Sequence, residues 1–202
     1  MKLKALRLFF SDMFAIESQR ALFDHIAYLK GSTIAHSTGA KVRSPDEPTR
    51  IALTDPAVRV VTDFTWEQPV TIAGDYAIDD ALREMMIAGV RALLVVHGDV
   101  VLGLITAYDI QGERPLQFLC ASNYTRHDEI EVGDIMTPWR RVPTLDWQLV
   151  RRARVLELAS FFKTTLATHA VIVEHGEQGG TFVRGLTSRA RLERRLGHSI
   201  DQ

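Results

Sequence analysis

The sequence predicts an α/β (α+β) protein in which two tandem repeats of strand, helix, strand, strand and helix pack sheet to sheet, after an N-terminal helical extension. Short aliphatic runs have the length of buried strands, and other segments place apolar residues at steps of three and four, which is typical of helices. The same order of segments occurs twice. A small sheet with helices on one face leaves its other face apolar, so the two copies are expected to bury these faces against each other.

The N-terminal segment differs in composition from the rest of the chain. Residues 1–30 carry apolar side chains at helical spacing and are predicted to be mainly helical, whereas residues 31–50 are rich in Gly, Ser, Thr and Pro and are predicted to form a loop or linker. The predicted domains are therefore an extension with its linker at 1–50, a first repeat at 51–127, and a second repeat with a C-terminal helix at 128–202.

The first repeat begins with a short predicted strand at 69–72, followed by a helix at 79–90. An aliphatic strand at 91–96 and a second strand segment at 100–109, which leads into the last helix, are joined by a His-Gly-Asp turn at 97–99. Gly and Asp favour this turn because they tolerate the backbone conformations of tight hairpins.

The second repeat shows the same order. A short strand at 142–145 is followed by a helix at 150–162, a strand at 169–174, and a further segment at 181–191 that ends in a helix. The turn between the last two segments contains His175 and Gly176. This correspondence is the strongest feature of the sequence, because one repeat predicts the elements of the other.

Two polar residues follow the last strand of the first repeat. Thr106 lies where the strand passes into a helix, and Asp109 follows one turn later. A hydroxyl at a helix N-terminus and a carboxylate with two acceptor oxygens suit the phosphate and the ribose diol of a nucleotide. The same spacing also suits a capping pair in the first turn of a helix, and one residue can serve in both ways.

Several motifs carry a resemblance to a known family. The first repeat contains GLITAYD at 103–109, the second contains GLTS at 185–188, the second opens on DIMTP at 134–138, and VVTD at 60–63 is a degenerate form of that opening. Over about 55–197 the chain resembles a tandem pair of CBS domains, the cystathionine β-synthase type, also called a Bateman module. The resemblance implies a regulatory module that binds AMP, ADP, ATP or S-adenosylmethionine in the cleft between the copies, commonly dimerises, and is not an enzyme.

The resemblance also implies a set of ligand-binding residues. Thr106 and Asp109 would hold the ribose and phosphate, and the base would lie near Thr71, Ile72, Ala92 and Leu93. The second repeat departs from the pattern: Ser188 keeps the hydroxyl, but Arg191 stands where the acid would be, and a guanidinium has no acceptor. Either the second ribose site is altered or empty, or Arg189 and Arg191 reach a phosphate of a ligand held by the first site.

The composition excludes several other classes of protein. The 24 Lys and Arg nearly cancel the 25 Asp and Glu, so no global field favours nucleic acid. One Cys and the absence of metal-ligand spacing predict neither a disulfide nor a metal site, and no apolar run is long enough for a membrane span. We expect a cytoplasmic homodimer that signals to an unidentified protein effector. The alternative is a ligand-free dimerisation scaffold with a vestigial nucleotide pocket.

Overall fold

A computed structural model describes residues 50–122, 124, 126–176 and 179–201, which lie within one compact unit, 46–202. The predicted N-terminal helical extension lies outside the described residues. A short strand β1, Thr62–Asp63, follows a 3-10 turn at Ala57–Val60 and precedes the first repeat. The rest of the described chain forms two repeats of strands and helices.

The first repeat contains three strands and three helices. In chain order they are β2 Thr71–Ala73, α1 Ile78–Ala88, β3 Ala92–His97, β4 Val100–Thr106, α2 Ala107–Gln111 and α3 Arg114–Ala121. Helix α1 ends at Gly89, whose φ of 67° lies in the left-handed region that favours glycine. The predicted hairpin between β3 and β4 is present, with Gly98 at φ 57° in its turn.

The second repeat follows a short connection and has the same order of long strands and of the helix between them, with additional short helices. Its elements are α4 Val132–Ile135, β5 Thr137–Pro138, β6 Thr144–Asp146, α5 Trp147–Val150, α6 Val155–Thr165, β7 His169–His175, β8 Thr181–Ser188 and α7 Arg189–Leu196. The helix expected at 150–162 is instead two helices, because Arg154 has extended backbone and forms the N-cap of α6. The carboxylate of Glu157 accepts a hydrogen bond from the Arg154 backbone N–H at 2.8 Å, which fixes this start.

Each sheet is completed by a short strand from the segment that opens the other repeat. One sheet has the order β2-β3-β4-β5 and the other the order β1-β8-β7-β6. Thr137 pairs with Leu104, and Thr62 pairs with Leu186 in the same relation. The openings at 60–63 and 134–138 therefore occupy equivalent places, and two backbone connections cross between the repeats.

Two glycines make these crossings sterically feasible. A Cβ at Gly103 would lie 2.4 Å from the Thr137 carbonyl oxygen, and a Cβ at Gly185 would lie 2.4 Å from the Thr62 carbonyl oxygen. Such distances are far below van der Waals contact, so each position requires the absence of a side chain. The glycine of each GL motif thus permits the close approach of the exchanged strand.

The core confirms the predicted packing of sheet against sheet. One buried cluster joins β3 and β4 of the first repeat to the second repeat, and its buried members are Ala92, Leu94, Leu104, Val142, Val171 and Val173. Two further clusters lie between each sheet and its own helices; they include Leu93, Ile105 and Met85 in the first repeat and Phe162, Ile172 and Leu192 in the second. The two-repeat α/β fold predicted from the sequence is therefore confirmed.

Candidate ligand-binding cavity

A cavity of about 540 Å³ opens where the two repeats meet. The first repeat contributes the segment before β2, the junction of α1 with β3, and Tyr108 of α2. The second contributes the start of β7, the end of β8 and the first turns of α7, while Thr62 and Phe64 come from β1 and the residue after it. Both copies are therefore needed to form the cavity, and its volume suits a small organic ligand.

One wall of the cavity is apolar. It contains Val70, Val90, Ala92, Leu94 and Leu186. Ala92 and Leu94 belong to the cluster between the sheets, whereas Leu93 belongs to the cluster between β3 and the helices. This division follows from the alternation of side chains along a strand. It gives the cavity a surface against which a flat ring can pack.

The altered motif of the second repeat also lines the cavity. Ser188 is the N-cap of α7, and its Oγ accepts a hydrogen bond from the Arg191 backbone N–H at 3.2 Å. The Arg191 side chain donates from Nη1 to Thr62 Oγ1 at 2.9 Å. Arg191 therefore spans from the second repeat to the exchanged strand β1, and its partner there is a neutral hydroxyl.

Three other arginines line the cavity together with Arg191. Arg189 donates to Glu193 at 3.2 Å and also pairs with Asp201. Arg91 and Arg194 line the cavity and are exposed. The lining thus has a positive region formed by residues of both repeats.

His169 is a buried polar residue of the cavity lining. Its side chain has only 8% relative exposure, and Nδ1 lies 3.1 Å from Thr168 Oγ1. Burial lowers the pKa of His169 to about 4, and the negative charge of Asp109 opposes this shift. The imidazole is therefore neutral at neutral pH. It supplies a hydrogen-bonding group to the cavity without adding charge.

The intact motif of the first repeat forms a complete capping box. The Asp109 Oδ2 atom accepts from the Thr106 backbone N–H and from Thr106 Oγ1, each at 2.8 Å, and Thr106 Oγ1 accepts from the Asp109 backbone N–H at 3.3 Å. The Asp109 Oδ1 atom forms an ion pair with Arg114 Nη1 at 3.0 Å. Both carboxylate oxygens therefore have protein partners.

Arg114 also contacts the connection between the repeats. Its Nη1 lies 2.9 Å from the Ile135 carbonyl oxygen and 3.1 Å from Thr137 Oγ1. Since Thr137 belongs to β5, this guanidinium links the Asp109 carboxylate to the strand that the second repeat lends to the first. The contact is part of the architecture as well as of the candidate site.

The structure distributes the predicted site residues among different environments. Among the residues lining the cavity are Ala92, Ser188, Arg189 and Arg191. The other predicted residues lie outside that lining: Thr106 and Asp109 form the capping box, Ile72 and Leu93 pack in the core of the first repeat, and Thr71 is exposed. Their predicted ligand contacts stay predictions.

Sequence reasoning missed Arg91, Tyr108 and His169 as cavity residues. A signal for two of them existed in the repeat itself. Ala92 pairs with Thr106 and His169 pairs with Ser188, so Ala92 and His169 are equivalent strand starts. Aligning the two strand starts would have placed His169, and Arg91 just before Ala92, next to the strand ends that carry the motif residues.

Two kinds of feature, a metal-ligand cluster and a membrane-spanning helix, were sought among the described residues. Within the described ranges, no group of three His, Cys, Asp or Glu side chains is arranged to hold a metal ion. None of the helices that the structure describes has the length and apolar character needed to span a bilayer.

Comparisons with known proteins agree with the repeat architecture. The model of the CBS domain family matches residues 61–114. An uncharacterized conserved protein from Pyrococcus horikoshii is 22% identical, with a TM-score of 0.50 over 70% of this chain and 92% of that chain. CBSX2 from Arabidopsis thaliana in complex with AMP is 19% identical, with a TM-score of 0.47 over 69% and 94% of the two chains. The CBS-domain containing protein ATU1752 from Agrobacterium tumefaciens is 21% identical, with a TM-score of 0.46 over 63% and 84%. No curated protein matches the sequence.

The exchanged strands, the sheet-to-sheet core and the cavity at the junction define a paired α/β module. The likeness to the Pyrococcus horikoshii structure shows a shared fold. The CBS domain model matches within the first repeat, at residues 61–114, and the second repeat has the same order of strands.

Proposed function

We propose that this CBS pair is a regulatory module that binds an adenosine-containing nucleotide in the cavity between its repeats. The observation that carries the proposal is the cavity of about 540 Å³, whose lining includes both aliphatic side chains and four arginines. A purine ring fits the first environment and phosphate oxygens fit the second, because guanidinium groups donate charge-assisted hydrogen bonds to phosphate.

The apolar wall supports placement of the base. Ala92 and Leu94 are small and medium aliphatic side chains of β3, and Val70, Val90 and Leu186 complete the surface around them. The aromatic rings of Phe64 and Tyr108 also line the cavity. Tyr108 is 55% exposed, so its ring is free to pack against a base that enters from solvent.

The ribose contact has two alternatives that differ in one residue. The sequence predicts that Thr106 and Asp109 accept the ribose hydroxyls; in the structure the ribose would share Asp109 Oδ1 with Arg114 or displace that guanidinium. In the other alternative the ribose hydroxyls find no carboxylate, and the nucleotide is held through its base and phosphates. These alternatives predict opposite behaviour of an Asp109 variant.

A thermal unfolding screen with AMP, ADP, ATP and S-adenosylmethionine tests the proposal on the full chain. Saturation at about a hundredfold excess over the dissociation constant stabilises a protein by about 2.7 kcal/mol, which corresponds to roughly 5 to 10 °C for a chain of this size. A shift of this order with at least one ligand is the expected result. Failure of all four ligands to raise the unfolding temperature would contradict the proposal.

A pair of variants identifies the ribose contact in the same screen. Asp109→Ala removes a capping carboxylate and the predicted ribose acceptor, whereas Asp134→Ala removes the capping carboxylate of α4, whose Oδ2 accepts from the Glu131 N–H at 3.0 Å. Each variant loses about 1 kcal/mol of helix capping. Loss of the ligand response in Asp109→Ala alone would support the predicted ribose role, and its retention would support recognition through base and phosphates.

The second candidate function is a dimerisation scaffold whose nucleotide pocket is vestigial. Two observations favour it: both oxygens of Asp109 are bound by protein groups, and Arg191 replaces the acid in the second repeat. Sedimentation of the ligand-free protein distinguishes the two functions when combined with the screen. A stable dimer without any ligand response would select the scaffold.

The proposed regulation requires a protein assembly that responds to ligand binding. A ligand held by residues of both repeats changes the relative stability of their arrangements only through contacts that differ between those arrangements. We propose a homodimer and a protein effector as the recipients of that change. Dissociation or rearrangement of the dimer on addition of nucleotide is the corresponding measurement.

A further inference from the structure

The charges that line the cavity are unequal. Four arginines, Arg91, Arg189, Arg191 and Arg194, face two carboxylates, Glu67 and Glu193. Glu193 is already engaged, because its Oε1 accepts from Arg189 Nε, from Ser199 Oγ and from the Ile200 N–H, each at 3.2 Å. Arg189 has a second carboxylate partner in Asp201. The positive charge of Arg189 is therefore balanced by the carboxylates of Glu193 and Asp201.

The three remaining arginines have no such compensation. Among the residues that the structure describes, no carboxylate lies within 4.0 Å of the side-chain nitrogens of Arg91, Arg191 or Arg194. Within the described ranges, the Thr62 hydroxyl at 2.9 Å is the one hydrogen-bond acceptor of the Arg191 side chain. Positive charge gathered at a concave surface attracts a multiply charged anion more strongly than it attracts a neutral molecule.

The position of Arg191 indicates which part of a ligand its positive charge would contact. Arg191 occupies the place of the motif acid in the second repeat, next to the capping Ser188. A guanidinium donates five hydrogen bonds and accepts none, so residue 191 cannot accept from the ribose hydroxyls as the motif carboxylate would, and it contacts their oxygens only as a donor. Phosphate oxygens are acceptors whose geometry matches the guanidinium fork.

We propose, on the basis of the proposed function, that the cavity recognises the phosphate chain of a nucleoside polyphosphate and does not recognise the ribose diol. Arg191 is the specificity-determining residue, and Arg91 and Arg194 extend the phosphate subsite on either repeat. Within this scheme ATP and ADP bind more tightly than AMP. S-adenosylmethionine, whose net charge at neutral pH is positive, binds much more weakly than ATP because its sulfonium and ammonium groups meet the arginines.

Titration calorimetry of the full chain at constant ionic strength tests this specificity. The probes are ATP, 2′,3′-dideoxy-ATP, adenosine, S-adenosylmethionine and inorganic tripolyphosphate. We expect dideoxy-ATP to match ATP within about threefold, because diol recognition is absent. We expect adenosine and S-adenosylmethionine to bind at least about tenfold more weakly, which is about 1.4 kcal/mol. Tripolyphosphate is expected to displace ATP.

Two substitutions connect the effect to the named side chains. Arg191→Gln keeps a donor for Thr62 and removes the charge, and we expect it to lower ATP affinity about tenfold or more. Arg91→Gln, at an exposed position, provides a second cavity variant should Arg191→Gln fold poorly. The matched control is Arg152→Gln, which alters an exposed arginine outside the cavity lining, and Glu67→Gln tests the remaining carboxylate. Arg152→Gln should retain the affinity of the original protein, and Glu67→Gln, which removes a negative charge from the cavity lining, should not lower it.

Each other outcome overturns the inference. ATP binding that is lost on removal of the 2′ and 3′ hydroxyls, or abolished by Asp109→Ala or Glu67→Gln, would show that a carboxylate reads the ribose; the proposed function would then survive without this inference. Adenosine binding as tight as ATP binding would have the same meaning. Absence of binding by ATP and S-adenosylmethionine, together with no response to ADP or AMP in the thermal unfolding screen, would remove both.

Discussion

The guanidinium of Arg114 lies 3.0 Å from Asp109 Oδ1, while Oδ2 of the same carboxylate closes the capping box with Thr106. Arg114 also donates to the Ile135 carbonyl and to Thr137 Oγ1. One side chain therefore joins the motif acid of the first repeat to the exchanged strand of the second. This relationship gives Asp109 a structural role that is independent of any ligand.

Replacing Arg114 by Met is expected to destabilise the fold modestly. Arg114 is 44% exposed in its side chain, so solvent screening reduces the value of its contact with Asp109. The lost hydrogen bonds to the connection add to this, for a total of about 1 kcal/mol. Urea unfolding at neutral pH measures the difference.

Arg83→Met is the control for this prediction. Arg83 pairs with Asp80 at 2.6 Å, but the two side chains are 63% and 46% exposed and hold no connection between the repeats. Its cost should be no more than a few tenths of a kcal/mol. Equal stability of the Arg114 and Arg83 variants would show that the bridge to β5 contributes nothing.

Gly103→Ala and Gly185→Ala are expected to be strongly destabilising. Each new methyl group would meet a backbone carbonyl oxygen at 2.4 Å, and a backbone atom of a paired strand has little freedom to move. Overpacking of this kind costs on the order of 2 to 3 kcal/mol. Chemical unfolding of the purified variants gives the value.

Gly74→Ala serves as the matched glycine substitution. A Cβ there finds its nearest atom at 3.8 Å, an ordinary contact, and the residue does not have a positive φ. The variant should lie within about 1 kcal/mol of the original protein. If Gly103→Ala were tolerated equally well, the exchanged strands would not lie as close as the structure places them.

His169 is expected to make the fold sensitive to mildly acidic pH. The pKa of His169 is lowered from 6.5 to about 4 by burial, so the unfolded chain binds more protons than the folded chain between these values. The contribution of His169 to the free energy of unfolding is therefore greatest at neutral pH and falls as the pH drops through this window. The loss between about pH 7 and pH 4.5 is roughly 2 kcal/mol.

His169→Gln isolates this contribution from the titration of carboxylates. The free energy of unfolding of both proteins should be measured at the two pH values, and the original protein should lose about 2 kcal/mol more than the variant. Parallel pH profiles of the two proteins would mean that His169 is protonated in the folded state as readily as in the unfolded state.

The order of elements was accessible to sequence analysis because the repeat supplies two copies of the same information. The GL motifs of the two copies, with Gly103 and Gly185, mark equivalent strands, and the hairpin at Gly98 lies where the turn residues predict it. The start of α6 was misplaced because the apolar spacing continues through Val150, whereas the backbone of Arg154 is extended. Periodicity alone does not report an N-cap that is fixed by a charged side chain.

The site was less accessible, because it depends on strand register and on side-chain partners. Ala92 and Leu93 are adjacent in sequence, yet the alternation of a strand sends one to the cavity and the other to the core. The engagement of Asp109 by Arg114 depends on where α3 begins relative to α2, which no local pattern specifies. The substitution of Arg191 for the motif acid was visible, and the structure adds that Arg91 and Arg194 stand around the same cavity.

The most direct measurement is the ATP affinity of the double variant Arg91→Gln/Arg191→Gln beside that of Arg151→Gln/Arg152→Gln, two exposed arginines outside the cavity lining. The same number of positive charges is removed in each case, so a general change of net charge affects both equally. The account predicts an affinity loss of about thirtyfold or more in the first variant, which is about 2 kcal/mol, and unchanged affinity in the second. Equal affinities of the two double variants would contradict it.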